Sequence, residues 1–369
     1  MSTPNLTSPS ELNQRIHQAI AQAGGWLPFD RFMAMALYEP GQGYYTNALQ
    51  KFGAMPSSGS DFVTAPGMSP LFGQTVAVQV REALQATGTD EVWEFGAGTG
   101  ALALQLLDSL GDALARYTII DLSGTLRARQ AETLLKYADK VRWQGSWPAA
   151  IEGVVVGNEV LDAMPVQLLQ RTGGVWHERG VVSTEGGEGF AWQDRPTDLR
   201  PPVEIEGDHD YLTEIHPQAE AFVASLAERL LAGRGGAAFF LDYGFPEGEY
   251  FHPQRHMGTV MCHQLHQADD NPLLAVGQKD ITAHVNFTGV ALAAQNAGLD
   301  VLGYASQAWF LLNLGLAERM AAATLAERSQ AQRLINEHEM GELFKVIGFA
   351  TSSDWVAQGF ARGDRSHRL

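Results

Sequence analysis

The run Glu94-Phe95-Gly96-Ala97-Gly98-Thr99-Gly100 is the part of this sequence whose residue types and spacing best indicate chemistry. The apolar residues before Glu94 predict a short buried strand, and the apolar residues from Ala101 to Leu110 predict a helix. A strand, a glycine-rich turn and a helix form the first unit of a nucleotide-binding α/β sheet. The glycines allow a ligand to approach the backbone closely, and the start of the helix offers free N–H donors.

Glu94 separates two interpretations of this turn. Gly96, Gly98 and Ala101 also fit the dinucleotide pattern G-x-G-x-x-G/A, which would bring a pyrophosphate near Glu94. A carboxylate repels that dianion, whereas a cofactor with an ammonium and a sulfonium suits it. S-adenosyl-L-methionine (SAM) carries both groups, and the run E-x-G-x-G-x-G resembles the first motif of the seven-stranded methyltransferases. An NAD-dependent oxidoreductase is the opposed alternative, and the second half of a dinucleotide fold is missing.

Polar residues also follow the other predicted strands, where a doubly wound sheet binds its ligands. An acid at the end of the second strand can accept hydrogen bonds from both ribose hydroxyls of an adenosine. The alternative for Asp121 and Asp242 is helix capping, a common role for acids where a strand turns into a helix. The candidate cofactor-binding residues at the strand ends are Glu94, Gly96, Ala97, Gly98, Gly100, Asp121, Leu122, Ser123, Gly145, Ser146, Asn158 and Glu159.

Strands and helices alternate from Glu91 onward, which predicts an α/β fold with a mainly parallel sheet covered on both faces. The predicted strands are Glu91–Phe95, Tyr117–Asp121, Val141–Trp143, Gly153–Gly157, Ala237–Asp242 and Phe344–Ala350. We predict a mainly helical N-terminal extension over residues 1–90 and a catalytic domain over residues 91–369. Two insertions interrupt that domain, one with hairpin-like runs at about 166–233 and one rich in Gly, Pro and His at about 244–289.

The composition restricts the partners and the compartment. The chain has 42 acidic and 25 basic residues and a net charge of −17, which argues against a general affinity for nucleic acid or anionic membrane. Cys262 is the only cysteine, so no intrachain disulfide forms and a reducing compartment is expected. The polar residues 1–10 do not fit a secretory signal or a mitochondrial presequence, and no apolar run is long enough to span a bilayer. We therefore expect a cytoplasmic protein.

Longer motifs cover nearly the whole chain, and the most distinctive are Asn158-Glu159-x-x-Asp162-Ala163-x-Pro165 and Asp280-Ile281-Thr282-Ala283-His284-Val285. The other motifs are Phe29-Asp30-Arg31-Phe32-Met33, Gly43-Tyr44-Tyr45, Asp61-Phe62-Val63-Thr64-Ala65-Pro66, Asp121-Leu122-Ser123 and Asp242-Tyr243-Gly244. With them the chain resembles the MidA-type SAM-dependent methyltransferases, the family of the mitochondrial complex I assembly factor that methylates an arginine. The resemblance implies a Rossmann-like, seven-stranded class I methyltransferase sheet.

The resemblance also implies a protein acceptor, either a respiratory complex I subunit or another protein, and an arginine as the methylated residue. A guanidinium is protonated at any working pH, so carboxylates are needed to hold it. Glu159 and Asp162 would share a face if a helical turn follows the fourth strand, and they are the candidate catalytic pair. The alternative is that Glu159 touches the cofactor and Asp162 caps a helix. His284 is a third catalytic candidate, although a lone histidine is more often structural.

Departures from the family pattern fall where the resemblance places the acceptor. They are Gly67, Gln264, Leu265 and Asn286, where members often carry Glu, Tyr, Arg and Asp. They favour an altered acceptor or weakened catalysis, so a SAM-binding assembly factor with little turnover and a small-molecule methyltransferase stay as alternatives. Tyr44 and Tyr45 are interpreted either as walls of an acceptor channel or as core anchors. We predict no metal site in the second insertion, whose histidines have no compact ligand spacing.

Overall fold

The computed structural model describes residues 11–47, 63–121 and 123–369. The predicted helix start at residues 8–10, the motif residues Asp61 and Phe62, and Leu122 lie outside the described residues. The helices are α1 Glu11–Gln22, α2 Phe29–Tyr38, α3 Ala65–Met68, α4 Pro70–Thr87, α5 Ala101–Leu110, α6 Gly124–Thr133, α7 Pro217–Ala232, α8 Glu247–Tyr250, α9 Phe287–Asn296, α10 Gln307–Asn313, α11 Leu316–Ala322 and α12 Leu325–Ile335. The strands are β1 Leu27–Pro28, β2 Glu91–Phe95, β3 Arg116–Ile120, β4 Val141–Gln144, β5 Gly153–Asn158, β6 Gln167–Thr172, β7 Val175–Ser183, β8 Phe190–Pro196, β9 Tyr211–Ile215, β10 Gly236–Phe245, β11 Met261–Gln264, β12 Gln267–Asp269, β13 Asp280–Thr282, β14 Val285–Asn286, β15 Asp300–Ser306 and β16 Phe344–Ala350.

The chain divides into two compact units. Unit 1 comprises residues 1–50, 163–217 and 251–283, and unit 2 comprises residues 51–162, 218–250 and 284–369. The division does not follow residue 90, because α1 and α2 belong to unit 1 while α3 and α4 belong to unit 2. A division into compact units does not test where a catalytic domain begins, so the predicted boundary at residue 90 stays a prediction.

Unit 2 is built on a mostly parallel sheet with the strand order β15-β16-β10-β5-β2-β3-β4, and the short β14 pairs beside β10. Strands β10, β5, β2, β3 and β4 run parallel, and β16 is antiparallel to both β10 and β15. The run Val154-Val155-Val156 of β5 is fully buried, as expected for a central strand covered on both faces. The predicted Rossmann-like class I methyltransferase sheet is confirmed.

Helix α4 shows how local sequence places the sheet's covering layer. Ser69 accepts a hydrogen bond from the backbone N–H of Leu71, Pro70 occupies the first helical position, and Gly88 ends the helix at φ 64°. Phe72, one of its fully buried side chains, joins the apolar core that also contains β2, β5 and β10 residues. The helix therefore packs on the sheet as part of unit 2.

Unit 1 contains an antiparallel sheet with the order β1-β7-β6-β9, with β8 paired to β7, and a small sheet with the order β12-β11-β13. The hairpin runs predicted near residues 168, 175 and 190 are confirmed as β6, β7 and β8. In the small sheet, β11 and β12 are joined through Leu265 and His266, both at positive φ (50° and 60°). Such a two-residue turn matches the right-handed twist of its strands.

The structure differs from the predicted elements of unit 2 in three places. Strand β15 is missing from the prediction because its mixed sequence lacks a run of apolar residues. Strand β3 ends at Ile120, one residue before the acid that was predicted to close it. No helix follows β5: residues 159–165 form bends and turns, so the condition under which Glu159 and Asp162 would share a helical face is not met.

Candidate functional site

The glycine turn after β2 has a backbone that side chains other than glycine rarely adopt. Gly96, Gly98 and Gly100 have φ values of 63°, 52° and 83°, all in the left-handed region. A Cβ atom at Gly96 would lie 3.2 Å from Val160 Cγ2. Gly100 is also the N-cap of α5, so the free N–H groups of the helix start at this turn. The turn therefore requires glycine at these positions, and the helix start beside it offers free N–H donors.

Glu94 lies at the end of β2 with only 2 % of its surface exposed. The Tyr117 hydroxyl donates a hydrogen bond of 2.7 Å to Glu94 Oε2. Burial raises the pKa of Glu94 to about 8; the Tyr117 hydrogen bond opposes this shift and the charge of Asp121 adds to it. The Glu94 carboxyl is therefore mostly protonated at neutral pH, and a bound cation would favour loss of that proton.

Asp121 is held by two neighbouring groups just beyond β3. Its Oδ1 accepts from the Ser123 N–H at 2.8 Å, and its Oδ2 accepts from Gln130 Nε2 at 2.8 Å. Gln130 Nε2 also donates to the Gly98 carbonyl at 3.1 Å, which ties the second strand end to the glycine turn. Burial raises the pKa of Asp121, and the bonds from Ser123 and Gln130 oppose that shift. We call Glu94 and Asp121 the acid pair.

Three further cofactor candidates lie beside these strand ends. Ser123 is the N-cap of α6, where its hydroxyl accepts from the Leu126 N–H. Gly145 and Ser146 are exposed in the bend after β4. Gln130 was not among the predicted site residues, although it contacts both the turn and Asp121. Its position on one face of α6 was the signal that could have identified it.

Asn158 is the last residue of β5, and Glu159 follows it in a strained backbone conformation. Glu159 has φ 54°, which is rare for a residue with a side chain and is often retained at functional sites. Its N–H donates to the Leu241 carbonyl at 2.9 Å, and its Oε1 accepts from Asn158 Nδ2 at 2.9 Å. Asn158 Oδ1 is buried and has no hydrogen-bond partner among the described residues, so it remains an acceptor for a ligand.

Asp242, near the end of β10, organises the turn that carries Asp162. Its Oδ2 accepts from the backbone N–H groups of Val160, Leu161 and Asp162 at 3.1, 2.8 and 3.3 Å. Asp242 is 1 % exposed, and burial together with the charges of Asp162 and Glu159 raises its pKa well above the usual range. Asp162 is 5 % exposed and is not a helix cap, because no helix starts there. We call Glu159, Asp162 and Asp242 the acid triad.

His284 lies directly before β14 and is half-buried. Its ring stacks on Phe245 with centroids 5.2 Å apart and meets the edge of Tyr243 at 5.2 Å. Tyr243 follows Asp242 in the chain, so His284 and the triad lie near the same strand end. Two residues further on, Asn286 is the N-cap of α9 and accepts from the Gly289 N–H at 3.3 Å.

The other departures from the family pattern occupy different environments. Gly67 is exposed in α3, and a Cβ atom there would make only ordinary contacts. Gln264 and Leu265 lie at the β11–β12 turn of unit 1, where Leu265 is 58 % exposed.

In the described part of the chain, no group of three or more His, Cys, Asp or Glu side chains is arranged to hold a metal ion. The helices of these residues include none of the length and apolar character needed to cross a membrane.

Comparison with known proteins identifies the class to which this site belongs. Residues 75–305 match the family model described as "Putative S-adenosyl-L-methionine-dependent methyltransferase", which covers more than half of the chain. The chain therefore belongs to this family of SAM-dependent methyltransferases. The orphaned Asn158 Oδ1, the glycine turn and the buried Glu94 all fit such a cofactor.

Relatives at two distances agree with this assignment. A solved structure from Burkholderia thailandensis with bound S-adenosyl-homocysteine is 48 % identical, has a TM-score of 0.92, and matches 97 % of this chain and 96 % of that chain. Protein arginine methyltransferase NDUFAF7, mitochondrial, of Danio rerio is 29 % identical over 94 % of this chain and 89 % of that protein. The Homo sapiens protein of the same name is 26 % identical over 86 % and 78 %. SAM is thus the cofactor, as the strand ends predicted.

The expectation of a cytoplasmic location is wrong when measured against these relatives. The Danio rerio and Homo sapiens proteins are both named as mitochondrial. The expectation came from the polar, arginine-poor residues 1–10, and that criterion does not decide the compartment in this family.

Proposed function

We propose that the chain methylates a protein acceptor on an arginine side chain. The observation that carries this proposal is the acid triad of unit 2, in which burial and the charges of Asp162 and Glu159 raise the pKa of Asp242 at one strand end. A protonated guanidinium placed beside them would relieve their mutual repulsion. The names of the curated relatives, protein arginine methyltransferases, support the same acceptor.

In this proposal the ends of β2, β3 and β5 bind the cofactor. Gly96, Gly98 and Gly100 let it lie against the backbone, and Asp121 accepts from its ribose. Asn158 offers its unpaired Oδ1, and Glu94 balances the positive charge. SAM supplies a methyl group on a sulfonium, which is already a good leaving group, so the protein's work is alignment and exclusion of water.

The acid triad acts on the acceptor. Asp162 and Glu159 hold and orient the guanidinium, and Asp242 fixes the turn that carries Asp162 through its three backbone hydrogen bonds. An ionised carboxylate of Glu159 or Asp162 would take the proton that the guanidinium nitrogen loses when it is methylated. His284, in contact with Tyr243, is the candidate to pass that proton on.

The test is a comparison of methylated peptides from cells that carry the gene, cells that lack it, and cells complemented with the Gly98→Val chain. Mass spectrometry of digested proteins should show a methylarginine that is present only with the intact gene. The Gly98→Val chain controls for loss of the protein itself, because it should fold without binding SAM well.

Two other outcomes would replace the proposal. A methylated metabolite that disappears with the gene, and no changed protein, would indicate a small-molecule methyltransferase. Intact assembly of a partner by both the wild-type and the Gly98→Val chains, with no lost methyl group, would indicate an assembly factor without turnover.

A further inference from the structure

Two motifs of unit 1 that the proposed function leaves unused meet each other in space. Tyr45, from the Gly43-Tyr44-Tyr45 motif, donates its hydroxyl to Asp280 Oδ1 at 2.8 Å. Asp280 begins the Asp280-Ile281-Thr282-Ala283 run, and the two residues lie 235 positions apart. Asp280 is 3 % exposed and is anchored in β13, where it pairs with His263 of β11. A buried carboxylate with a hydroxyl aimed at it is therefore held rigidly.

An aromatic surface lies beside this carboxylate. The rings of Tyr38 and Tyr45 stack with centroids 5.6 Å apart and planes 20° apart, and both side chains are half-buried. Tyr38 is fixed in turn, because its hydroxyl donates to the Ala163 carbonyl at 2.8 Å. Flat aromatic faces attract a planar guanidinium, which stacks on them while its edge reaches an acceptor.

Thr282 provides an independent sign of an absent donor. The side chain is 3 % exposed, and its Oγ1 has no hydrogen-bond partner among the described residues. Alternation along β13 places Thr282 on the same face as Asp280. A buried hydroxyl without a partner is unfavourable in the free protein, so its retention beside a carboxylate points to a ligand that donates hydrogen bonds.

We propose that Asp280, Thr282 and the Tyr38–Tyr45 ring pair form a guanidinium subsite that binds an arginine side chain of the acceptor. A guanidinium has five N–H donors and no acceptor. The Asp280 carboxylate and the Thr282 hydroxyl supply oxygen atoms for its edge, and the tyrosine rings supply its flat surface. A lysine ammonium, a compact and strongly hydrated charge, would use the planar part of this subsite less well. The inference rests on the proposed arginine acceptor, and the subsite itself lies wholly within unit 1.

The test measures binding without turnover, on the full chain saturated with S-adenosyl-homocysteine. The probe is N-acetyl-arginine amide, and the matched neutral probe is N-acetyl-citrulline amide, which has nearly the same shape. Titration followed by NMR should show that the arginine probe binds about tenfold or more tightly than the citrulline probe. Asp280→Asn should reduce this preference at least threefold, and any preference that remains belongs to the acid triad.

Asp270→Asn is the matched control variant. It removes the same formal charge from an exposed position ten residues before Asp280 and should keep the arginine preference. The affinity for S-adenosyl-homocysteine should be unchanged in both variants, which shows that each is folded.

Thr282→Val gives a second readout that a structural role would not produce. Replacing an unpaired buried hydroxyl with a methyl group should leave the thermal unfolding midpoint unchanged or higher. The same variant should bind the arginine probe about threefold more weakly or worse, because an acceptor is lost. If Asp280→Asn fails to fold, this variant decides the question alone.

Equal binding of the two probes by the wild-type chain, or unchanged arginine binding by Thr282→Val, would overturn the subsite. Methylarginine formation by a chain that shows no arginine preference in this titration would leave the proposed function standing and remove only the subsite. Arginine preference in the titration without any methylarginine in cells would support the subsite and remove the proposed function.

Discussion

The acid pair and the acid triad lie at neighbouring strand ends of the same sheet, but their charges are balanced in different ways. Side chains close by in the sheet and in α6 hold the pair: Tyr117 bonds Glu94, and Gln130 bonds Asp121. The triad has backbone donors for Asp242 and two further acids as neighbours. The carboxyl groups of the pair are therefore held in place by hydrogen bonds from neighbouring side chains. In the triad, the charges of Glu159 and Asp162 act on Asp242, and a bound cation would offset them.

Under the proposed function, this difference would suit the end of β3 to the cofactor and the acid triad to a cationic acceptor. A cofactor that binds in every turnover needs partners already in position, and the bonds from Ser123 and Gln130 hold the Asp121 carboxylate in one place. A cationic acceptor gains most where carboxylates are crowded, because its charge replaces a proton that they already attract. The following predictions test this difference, starting with the largest expected effect.

The first prediction concerns the pair and the pH dependence of stability. The pKa of Glu94 is about 8 in the folded chain and near 4.5 when unfolded, so the folded state holds an extra proton between these values. Raising the pH through this window should lower the free energy of unfolding, by at most about 5 kcal/mol. Glu94→Gln should remove most of that decline in urea unfolding of the cofactor-free chain. The exposed Glu132→Gln is the control, and an identical decline in Glu94→Gln would refute the assignment.

The second prediction concerns the triad. Asp162→Asn should lower turnover by about tenfold to a hundredfold, because a charge-assisted hydrogen bond to the guanidinium contributes about 1.5–3 kcal/mol. The affinity for SAM should stay nearly the same. Rates of methylarginine formation and calorimetric titration measure the two effects, with the exposed Asp112→Asn as control. A loss of SAM affinity equal to the loss of turnover would place Asp162 on the cofactor side.

The third prediction concerns the glycine turn beside the pair. Gly98→Val should weaken SAM and S-adenosyl-homocysteine binding by at least about tenfold, or about 1.4 kcal/mol, because a branched side chain enters the ligand's space. Gly111→Val is the matched control, since Gly111 ends α5 at nearly the same angle (φ 56° against 52°) with no neighbour within 4 Å of a Cβ atom. Calorimetry should show full affinity for that control. Equal losses in the two variants would indicate backbone strain rather than a filled site.

The smallest expected effect is that of Ser123→Ala, which tests how the pair is supported. Ser123 caps α6, so the variant should lose about 1 kcal/mol of unfolding free energy. The exposed Ser146→Ala should lose none in the same urea titration. Both residues are cofactor candidates, and a weaker SAM affinity in each would support that role. Unchanged stability in Ser123→Ala would show that the hydrogen bond between the Ser123 hydroxyl and the Leu126 N–H does not stabilise the folded chain.

Prediction from sequence worked best where the signal was local. Strands β2 and β5 and helix α5 were predicted within a residue of their ends, because apolar runs and glycines mark them directly. Strand β15 lacked such a run, and the spacing of two acids left open whether a helical turn follows β5. That turn instead follows the hydrogen bonds of Asp242, an acid about 80 residues later in the chain.

The sequence by itself determined the class of fold, the cofactor and most of the strand-end residues. Each depends on a few adjacent positions, such as the glycines that permit left-handed backbone angles at the end of β2. The tertiary structure alone decided that Asp242 joins Glu159 and Asp162, and that Tyr45 meets Asp280. Strand pairing and burial bring together carboxyl groups that are distant in the sequence. Their charges and pKa values depend on that proximity rather than on the residues adjacent to them in the chain.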